Sequence, residues 1–100
     1  MNNKYLWESN LGSYLEGFLD FMRLSGFQYK VPERWLRQFD QYCAEHHVPE
    51  SMLKRDVIEG FCIGDESESI ATRQARLRLL RKLAEYMLKF DCNVYIPPLP

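Results

Sequence analysis

Apolar residues recur at helical spacing in four separate stretches of the chain, each bounded by turn-forming residues. The first stretch runs from about Leu11 to Leu24 and ends at Ser25-Gly26, where a glycine suits the left-handed position after a helix. Its spacing predicts a helix with one broad apolar face turned toward a core. That face comprises Leu11, Tyr14, Leu15, Phe18, Leu19 and Met22.

A second helix is predicted to begin at Pro32, because the fixed φ and missing N–H of proline suit the first helical turn. It ends before Pro49, which disfavours helical backbone at the preceding residue. The inner face comprises Trp35, Leu36, Phe39, Tyr42 and Cys43. The outer face carries Lys30, Arg34, Arg37, Gln38 and Gln41.

A short third helix is predicted over about Leu53 to Cys62, and a long fourth helix lies within residues 69–90. The polar loop between them offers Ser67 or Ser69 as the cap of the fourth helix. The apolar stripe of the fourth helix comprises Ile70, Leu77, Leu80, Leu83, Ala84, Met87 and Leu88.

Together these patterns predict an all-α fold, a compact bundle of four main helices over residues 11–90. An N-terminal segment, residues 1–10, precedes the bundle. Residues 91–100 include "VYIPPLP", an extended proline-rich stretch typical of the start of a linker. The pattern shows no internal repeat and no convincing pair of strands.

The composition is that of a globular protein. With 100 residues, 46% hydrophobic and 14% aromatic, the chain suits one small globular domain or a piece of a longer protein. The odd number of cysteines, Cys43, Cys62 and Cys92, predicts free thiols, most of them buried. With no apolar leader after Met1 and no run approaching ~18 apolar residues, a cytoplasmic protein is expected.

The net charge of −1 conceals an uneven distribution of charge. Residues 45–68 carry two basic side chains against seven acidic ones, whereas residues 69–90 carry six basic side chains against Glu85 alone. The fourth helix is therefore strongly basic and follows an acidic segment.

Two arginines fall on the apolar stripe of this basic helix. With Ile70 set at 0° and about 100° per residue, the stripe centres near ~290°, with Arg73 at ~300° and Arg76 at ~240°. A buried unpaired guanidinium is very costly. We therefore expect the first two turns to project beyond the bundle, so that only Leu77 and later residues pack inside.

A projecting basic helix end suits duplex DNA, because arginines neutralise phosphates or bind guanine edges and glutamine pairs with adenine. The outer face of the second helix offers a matching set. The residue pattern thus proposes Lys30, Arg34, Arg37, Gln38, Thr72, Arg73, Gln74 and Arg76, with Arg78 nearby, as DNA contacts. The alternative interpretation is a solvated basic face that pairs with Asp65, Glu66 and Glu68.

The order of these elements resembles the N-terminal, SAM-like core-binding domain of tyrosine recombinases, the phage-integrase family. The similar features are a first helix that ends in Gly26-Phe27 and a second helix with an aromatic inner face. A short third helix follows, and then a helix matching Thr-x-x-x-Arg-Leu-x-x-Leu-Arg-x-x-x-x-Tyr through Thr72, Arg76, Leu77, Leu80, Arg81 and Tyr86. The match covers about residues 11–98 and closes with Ile96-Pro97-Pro98; Pro32 and Lys54 depart from the family pattern.

The resemblance implies a domain that forms half of a clamp around duplex DNA near the crossover site. It implies contacts through its second and fourth helices, which adds Arg81 to the residues named above. The catalytic residues of the family lie in a separate C-terminal domain, so this chain is expected to be non-catalytic alone. Expected partners are duplex DNA and further protomers of a full-length recombinase; the isolated domain is expected to be monomeric, without a membrane role.

Other chemistry is less well supported by the spacing. Cys43 and His46 have a Cys-x-x-His spacing, but no second close pair completes a zinc site, so we expect no metal and no cofactor. Tyr86 lies at the rim of an apolar face and is expected to pack rather than act as a nucleophile.

The N-terminal aromatic residues leave two interpretations open. Tyr5, Leu6 and Trp7 either dock on the bundle as a lid or pack against a neighbouring protomer. An alternative function is a helical protein–protein interaction module that uses Trp7 and Tyr95 as its contact surface.

Overall fold

The computed structural model describes residues 5–26, 30–63 and 67–98. Within them the chain forms a small helical bundle, as the periodicity predicts. The helices are α1 (Gly12–Leu24), α2 (Lys30–Glu45), α3 (Arg55–Ile63) and α4 (Ile70–Leu88). Phe27 of the Gly26-Phe27 pair and the acids Asp65 and Glu66 lie outside the described residues.

The helix ends follow local chemistry. Gly26 has a positive φ of 89°, so it takes the left-handed conformation expected after α1. Ser69 caps α4, because its Oγ accepts a hydrogen bond of 3.1 Å from the Thr72 N–H. α2 begins at Lys30, two residues before the predicted start, which leaves Pro32 in the first turn, where proline is still tolerated.

A short strand pair corrects the expectation that the chain has none. β1 (Met52–Leu53) and β2 (Asn93–Val94) run parallel. The Asn93 N–H donates to the Ser51 carbonyl at 2.9 Å, and the Tyr95 N–H donates to the Leu53 carbonyl at 2.8 Å. Strands of two residues are too short for a periodic signal, and this pair joins the chain after α4 to the segment before α3.

The core lies between the four helices and includes side chains that precede and follow them. Its largest fully buried side chains are Phe18, Phe39, Leu11, Leu15, Leu36, Leu53, Ile58, Leu80, Leu83, Met87, Asp40 and Pro97. The three cysteines are buried and free, as predicted.

The inner face of α4 is rotated from the predicted stripe. Leu79 is buried although the stripe omits it, whereas Ile70 is 71% exposed and Leu88 is 50% exposed. With Ile70 again set at 0° around the helix axis, the buried residues of α4 centre near ~250°, which is about 40° from the centre of the predicted stripe. Arg76, at ~240°, therefore points toward the middle of the bundle.

The N-terminal segment docks on its own bundle, which supports the lid interpretation for Tyr5 and Trp7. Trp7 packs against the core beside Gly12, where an added Cβ would lie 2.6 Å from the Trp7 Cβ. Leu6, in contrast, is 81% exposed. No helix in the described part of the chain has the length and apolar character needed to cross a membrane.

Candidate nucleic-acid interface

The outer face of α2 presents a row of exposed polar side chains. Lys30, Arg34 and Gln38 are all exposed and lie four residues apart, which places them within ~80° of one another around the helix. The buried side of α2, with Leu36, Phe39 and Cys43, lies opposite. The charged groups of Lys30 and Arg34 form no ion pair with any residue that the structure describes. This face can therefore offer uncompensated positive charge to an anion.

Arg37 is held more tightly at the edge of this face. Its Nη2 lies 2.7 Å from Glu33 Oε2, and its guanidinium lies 5.1 Å from the centre of the Tyr5 ring. Glu33 also contacts Arg23 at the end of α1. Arg37 thus contributes charge that is partly compensated, in an orientation fixed by two neighbours.

Arg76 contradicts the expected projection of α4. Its side chain is only 12% exposed, and its Nη1 lies 2.7 Å from Glu68 Oε2. The guanidinium lies 5.8 Å from the ring centres of both Trp35 and Phe61. Two aromatic rings and a carboxylate thus compensate the charge where the helix faces the bundle. The pair with Glu68 agrees with the alternative interpretation of this basic face, whereas the aromatic contacts with Trp35 and Phe61 were not predicted.

The first turns of α4 are half-buried rather than projecting. Thr72 takes part in the cap, since its hydroxyl lies 3.0 Å from Ser69 Oγ. Arg73 and Gln74 line a cavity of about 510 Å³ between α3, α4 and the C-terminal segment. The cavity also contacts Arg55, Glu59, Cys62, Ile63, Ile70, Leu77, Tyr95, Pro97 and Pro98.

Arg81 has a structural role, because it binds the chain that follows β2. Its Nη1 donates a hydrogen bond of 2.5 Å to the Pro97 carbonyl, and its Nε lies 3.9 Å from Glu85. The side chain therefore fastens the segment after β2 to α4. Arg78, one turn earlier, is exposed and has no ion pair among the described residues.

The predicted α2 and α4 residues consequently differ in availability. Those of α2 share one outer face or its edge. Those of α4 have separate surroundings. Thr72 belongs to the helix cap, and Arg73 and Gln74 line the cavity. Arg76 lies in the Trp35–Phe61 cluster, formed by these two rings and Glu68, and Arg81 binds the Pro97 carbonyl. The two helices do pack against each other, through contacts such as that of Arg76 with Trp35.

A fully buried aspartate on α2 was not anticipated. Asp40 accepts hydrogen bonds from the Tyr5 hydroxyl at 2.8 Å, the Glu8 N–H at 2.8 Å, and the Ser9 N–H and hydroxyl at 2.9 and 2.6 Å. Burial, followed by the hydrogen bond to Asp40, raises the pKa of Tyr5 to about 12. An acid beside the core residue Phe39, on the apolar side of the helical wheel, was the available sequence signal.

The thiols and histidines show no arrangement typical of a reactive or metal-binding centre. Burial raises the pKa of Cys43 to about 12 and that of Cys62 to about 11, so both thiols are protonated near neutral pH. Within residues 5–26, 30–63 and 67–98, no three metal-ligating side chains come together. His46 is exposed and stacks on Tyr42, with ring centres 4.0 Å apart.

Tyr86 packs on Phe18 with ring centres 5.6 Å apart, consistent with the predicted packing role.

No protein-family model, curated protein or solved structure matches this chain. The resemblance to recombinase core-binding domains therefore depends on the ordered residue pattern described above.

Proposed function

We propose that this chain is a helical DNA-binding domain of the core-binding type found in tyrosine recombinases. It binds duplex DNA through phosphate contacts and has no catalytic activity alone. The observation that carries the proposal is the pair of exposed cations Lys30 and Arg34 on the outer face of α2, neither of which forms an ion pair with a described residue, with Gln38 one turn further.

The contact surface proposed here is centred on α2. Counterion release favours cations that are free to neutralise phosphates, a condition that Lys30 and Arg34 satisfy. Arg76 and Arg81 already bind Glu68 and the Pro97 carbonyl, so their loss is expected to affect the fold more than DNA affinity. Thr72, Arg73 and Gln74 remain secondary candidates at the start of α4.

The proposal is tested by fluorescence anisotropy with a labelled 20-base-pair duplex between 50 and 200 mM NaCl. We expect a dissociation constant on the order of 10⁻⁴ to 10⁻⁶ M at physiological salt, with affinity falling steeply as salt rises. Lys30→Gln and Arg34→Gln should each weaken binding and lower the salt slope by about 0.9.

Lys54→Gln provides the matched control. Lys54 is also exposed but lies between β1 and α3, so its loss removes one charge from a different element. Equal effects of all three substitutions would indicate dependence on net charge alone and contradict an α2 interface. Absence of duplex binding at 50 mM NaCl would contradict the proposed function itself.

A protein interaction module is the second candidate. Ile63 and Ile70, 63% and 71% exposed, lie beside the apolar cavity next to Tyr95 and the Pro97-Pro98 segment. Trp7 instead packs against its own core, which weakens the version of this function that uses Trp7. A defined protein partner whose binding is abolished by Ile70→Asp, with no DNA binding, would favour this candidate.

A further inference from the structure

The carboxylate of Glu33 joins arginines from two helices. One oxygen contacts Arg23 Nη2 at the end of α1, and the other lies 2.7 Å from Arg37 Nη2 on α2. Arg23 also lies 4.0 Å from Asp20, a contact at the outer limit of an ion pair. The side chain of Glu33 is 20% exposed, whereas those of Arg23 and Arg37 are 52% and 42% exposed. A guanidinium of α1 is thereby held against the first turn of α2.

This arrangement leaves hydrogen-bonding capacity on both arginines. Each guanidinium has five N–H donors, and a carboxylate that uses one oxygen for each arginine occupies only part of them. Glu33 places one negative charge between two positive ones, and the second carboxylate near Arg23, that of Asp20, lies at the 4.0 Å limit of an ion pair. An arginine with a fixed plane and remaining donors is well suited to phosphate oxygens.

The location of this contact matters for the α2 surface. Glu33 immediately precedes Arg34 in α2, the helix that carries the exposed Lys30 and Arg34. Arg23 is ten positions away in the sequence and on another helix, so helical periodicity in α2 gives no indication of it.

We propose that Arg23 belongs to the DNA-contacting surface and that Glu33 is the positioning residue that holds it there. This inference rests on the proposed function and extends its surface from α2 onto the end of α1. The partner remains the anionic backbone of duplex DNA.

The first test measures Arg23→Gln in the chain of residues 1–100 by the same anisotropy titration. We expect binding to weaken about threefold at 100 mM NaCl and the salt slope to fall by about 0.9, as for Arg34→Gln. Arg55→Gln is the matched control, because Arg55 is also an exposed arginine paired with a glutamate, Glu59, at 3.0 Å on α3. Arg55→Gln should leave both the affinity and the slope unchanged.

The second test addresses the positioning role of Glu33 through a double-mutant cycle. In a Glu33→Gln background Arg23 loses its ionic tether, so Arg23→Gln should then change the affinity and the salt slope much less than in the native chain. A role of Glu33 in stability alone would leave the effect of Arg23→Gln equal in both backgrounds, and that result would overturn the positioning role.

The outcomes separate this inference from the function on which it rests. If Arg34→Gln weakens binding but Arg23→Gln behaves like Arg55→Gln, the extension onto α1 is wrong and the α2 interface stands. If the native chain does not bind the duplex at 50 mM NaCl, both the inference and the proposed function are wrong.

Discussion

The hydroxyl and the backbone N–H of Ser9 both donate to the same oxygen of Asp40, at 2.6 and 2.9 Å. The other carboxylate oxygen accepts from the Tyr5 hydroxyl and the Glu8 N–H. A buried carboxylate is stable only when its lone pairs are satisfied, and here the N-terminal segment supplies all four donors. The docking of that segment and the burial of Asp40 therefore depend on each other.

Removing the Asp40 carboxylate should detach or destabilise the N-terminal segment. Asp40→Ala leaves four donors without their acceptor, so we expect a loss of about 3 kcal/mol in the free energy of unfolding. Asp20→Ala is the control, because Asp20 is exposed and 4.0 Å from Arg23; its loss should cost no more than about 0.5 kcal/mol. Urea denaturation midpoints provide the comparison.

Hydrogen exchange distinguishes local detachment from global destabilisation. If the segment detaches alone, the amides of Glu8 and Ser9 should exchange rapidly in Asp40→Ala while those of Leu80 and Leu83 stay protected. Unchanged protection at Glu8 and Ser9, with an unchanged denaturation midpoint, would show that the segment does not depend on Asp40.

The buried thiols predict that the fold loses stability in alkali. The pKa of Cys43 is raised to about 12 and that of Cys62 to about 11, chiefly by burial, so the folded state retains protons that the unfolded chain releases above about pH 8.5. Stability should thus be unaffected by these groups between pH 6 and 8. Above pH about 9 it should fall by up to about 1.4 kcal/mol per pH unit for each thiol.

Urea denaturation of the reduced protein at pH 7, 8, 9 and 10 checks this dependence. Cys43→Ala should be less stable at pH 7, because it leaves a small cavity, but its stability should decline less steeply above pH 9. A free energy of unfolding that rises between pH 9 and 10 would contradict the assignment of protonated, buried thiols.

Periodicity predicts the four helices because each repeats apolar residues at helical spacing. The polar positions of the same repeat in α2 predict the exposed row of Lys30, Arg34 and Gln38. It does not identify interactions that depend on tertiary contacts. Asp40 is buried because a distant segment supplies donors, and Arg76 is buried because Trp35 and Phe61 offer aromatic faces.

The rotation of α4 has a related cause. The predicted stripe includes Ile70 and Leu88, which are exposed, and omits Leu79, which is buried. Both differences move the predicted centre of the apolar face away from the observed one. The candidate site was therefore predictable on α2, where the outer face is solvated. It was less predictable on α4, where several polar side chains serve the fold instead.

The proposed function also predicts that residues 1–100 form no covalent adduct with DNA. Tyr86 packs among Phe18, Phe21 and Phe90, with ring centres 5.1 to 5.9 Å away. Covalent phosphoryl transfer needs positive charge fixed around the nucleophile, and burial raises rather than lowers the pKa of Tyr86. Incubation with a nicked suicide duplex followed by denaturing electrophoresis should show only free protein. A shifted band that Tyr86→Phe removes would contradict this prediction.

The Arg76 cluster predicts a separation of stability from DNA binding. Arg76→Ala removes the guanidinium from Trp35 and Phe61 and leaves the 23% exposed Glu68 without this partner. Because the pair retains some solvent access, we expect a loss of about 1–3 kcal/mol, below the range for a fully buried pair. Duplex affinity, measured where the variant remains folded, should change little.

Two variants calibrate that result by urea denaturation. Arg78→Ala, at an exposed position of the same helix, should change stability by no more than about 0.5 kcal/mol, whereas Leu80→Ala in the core should cost about 2–5 kcal/mol. Arg76→Ala should fall between them, and a cycle with Glu68→Gln should show coupling, since each substitution alone breaks the same contact. If Arg76→Ala instead matches Arg78→Ala in stability and weakens duplex binding with a lower salt slope, Arg76 faces DNA. The start of α4 would then belong to the interface after all, because a guanidinium whose removal costs the fold nothing has no structural role in the Trp35–Phe61 cluster.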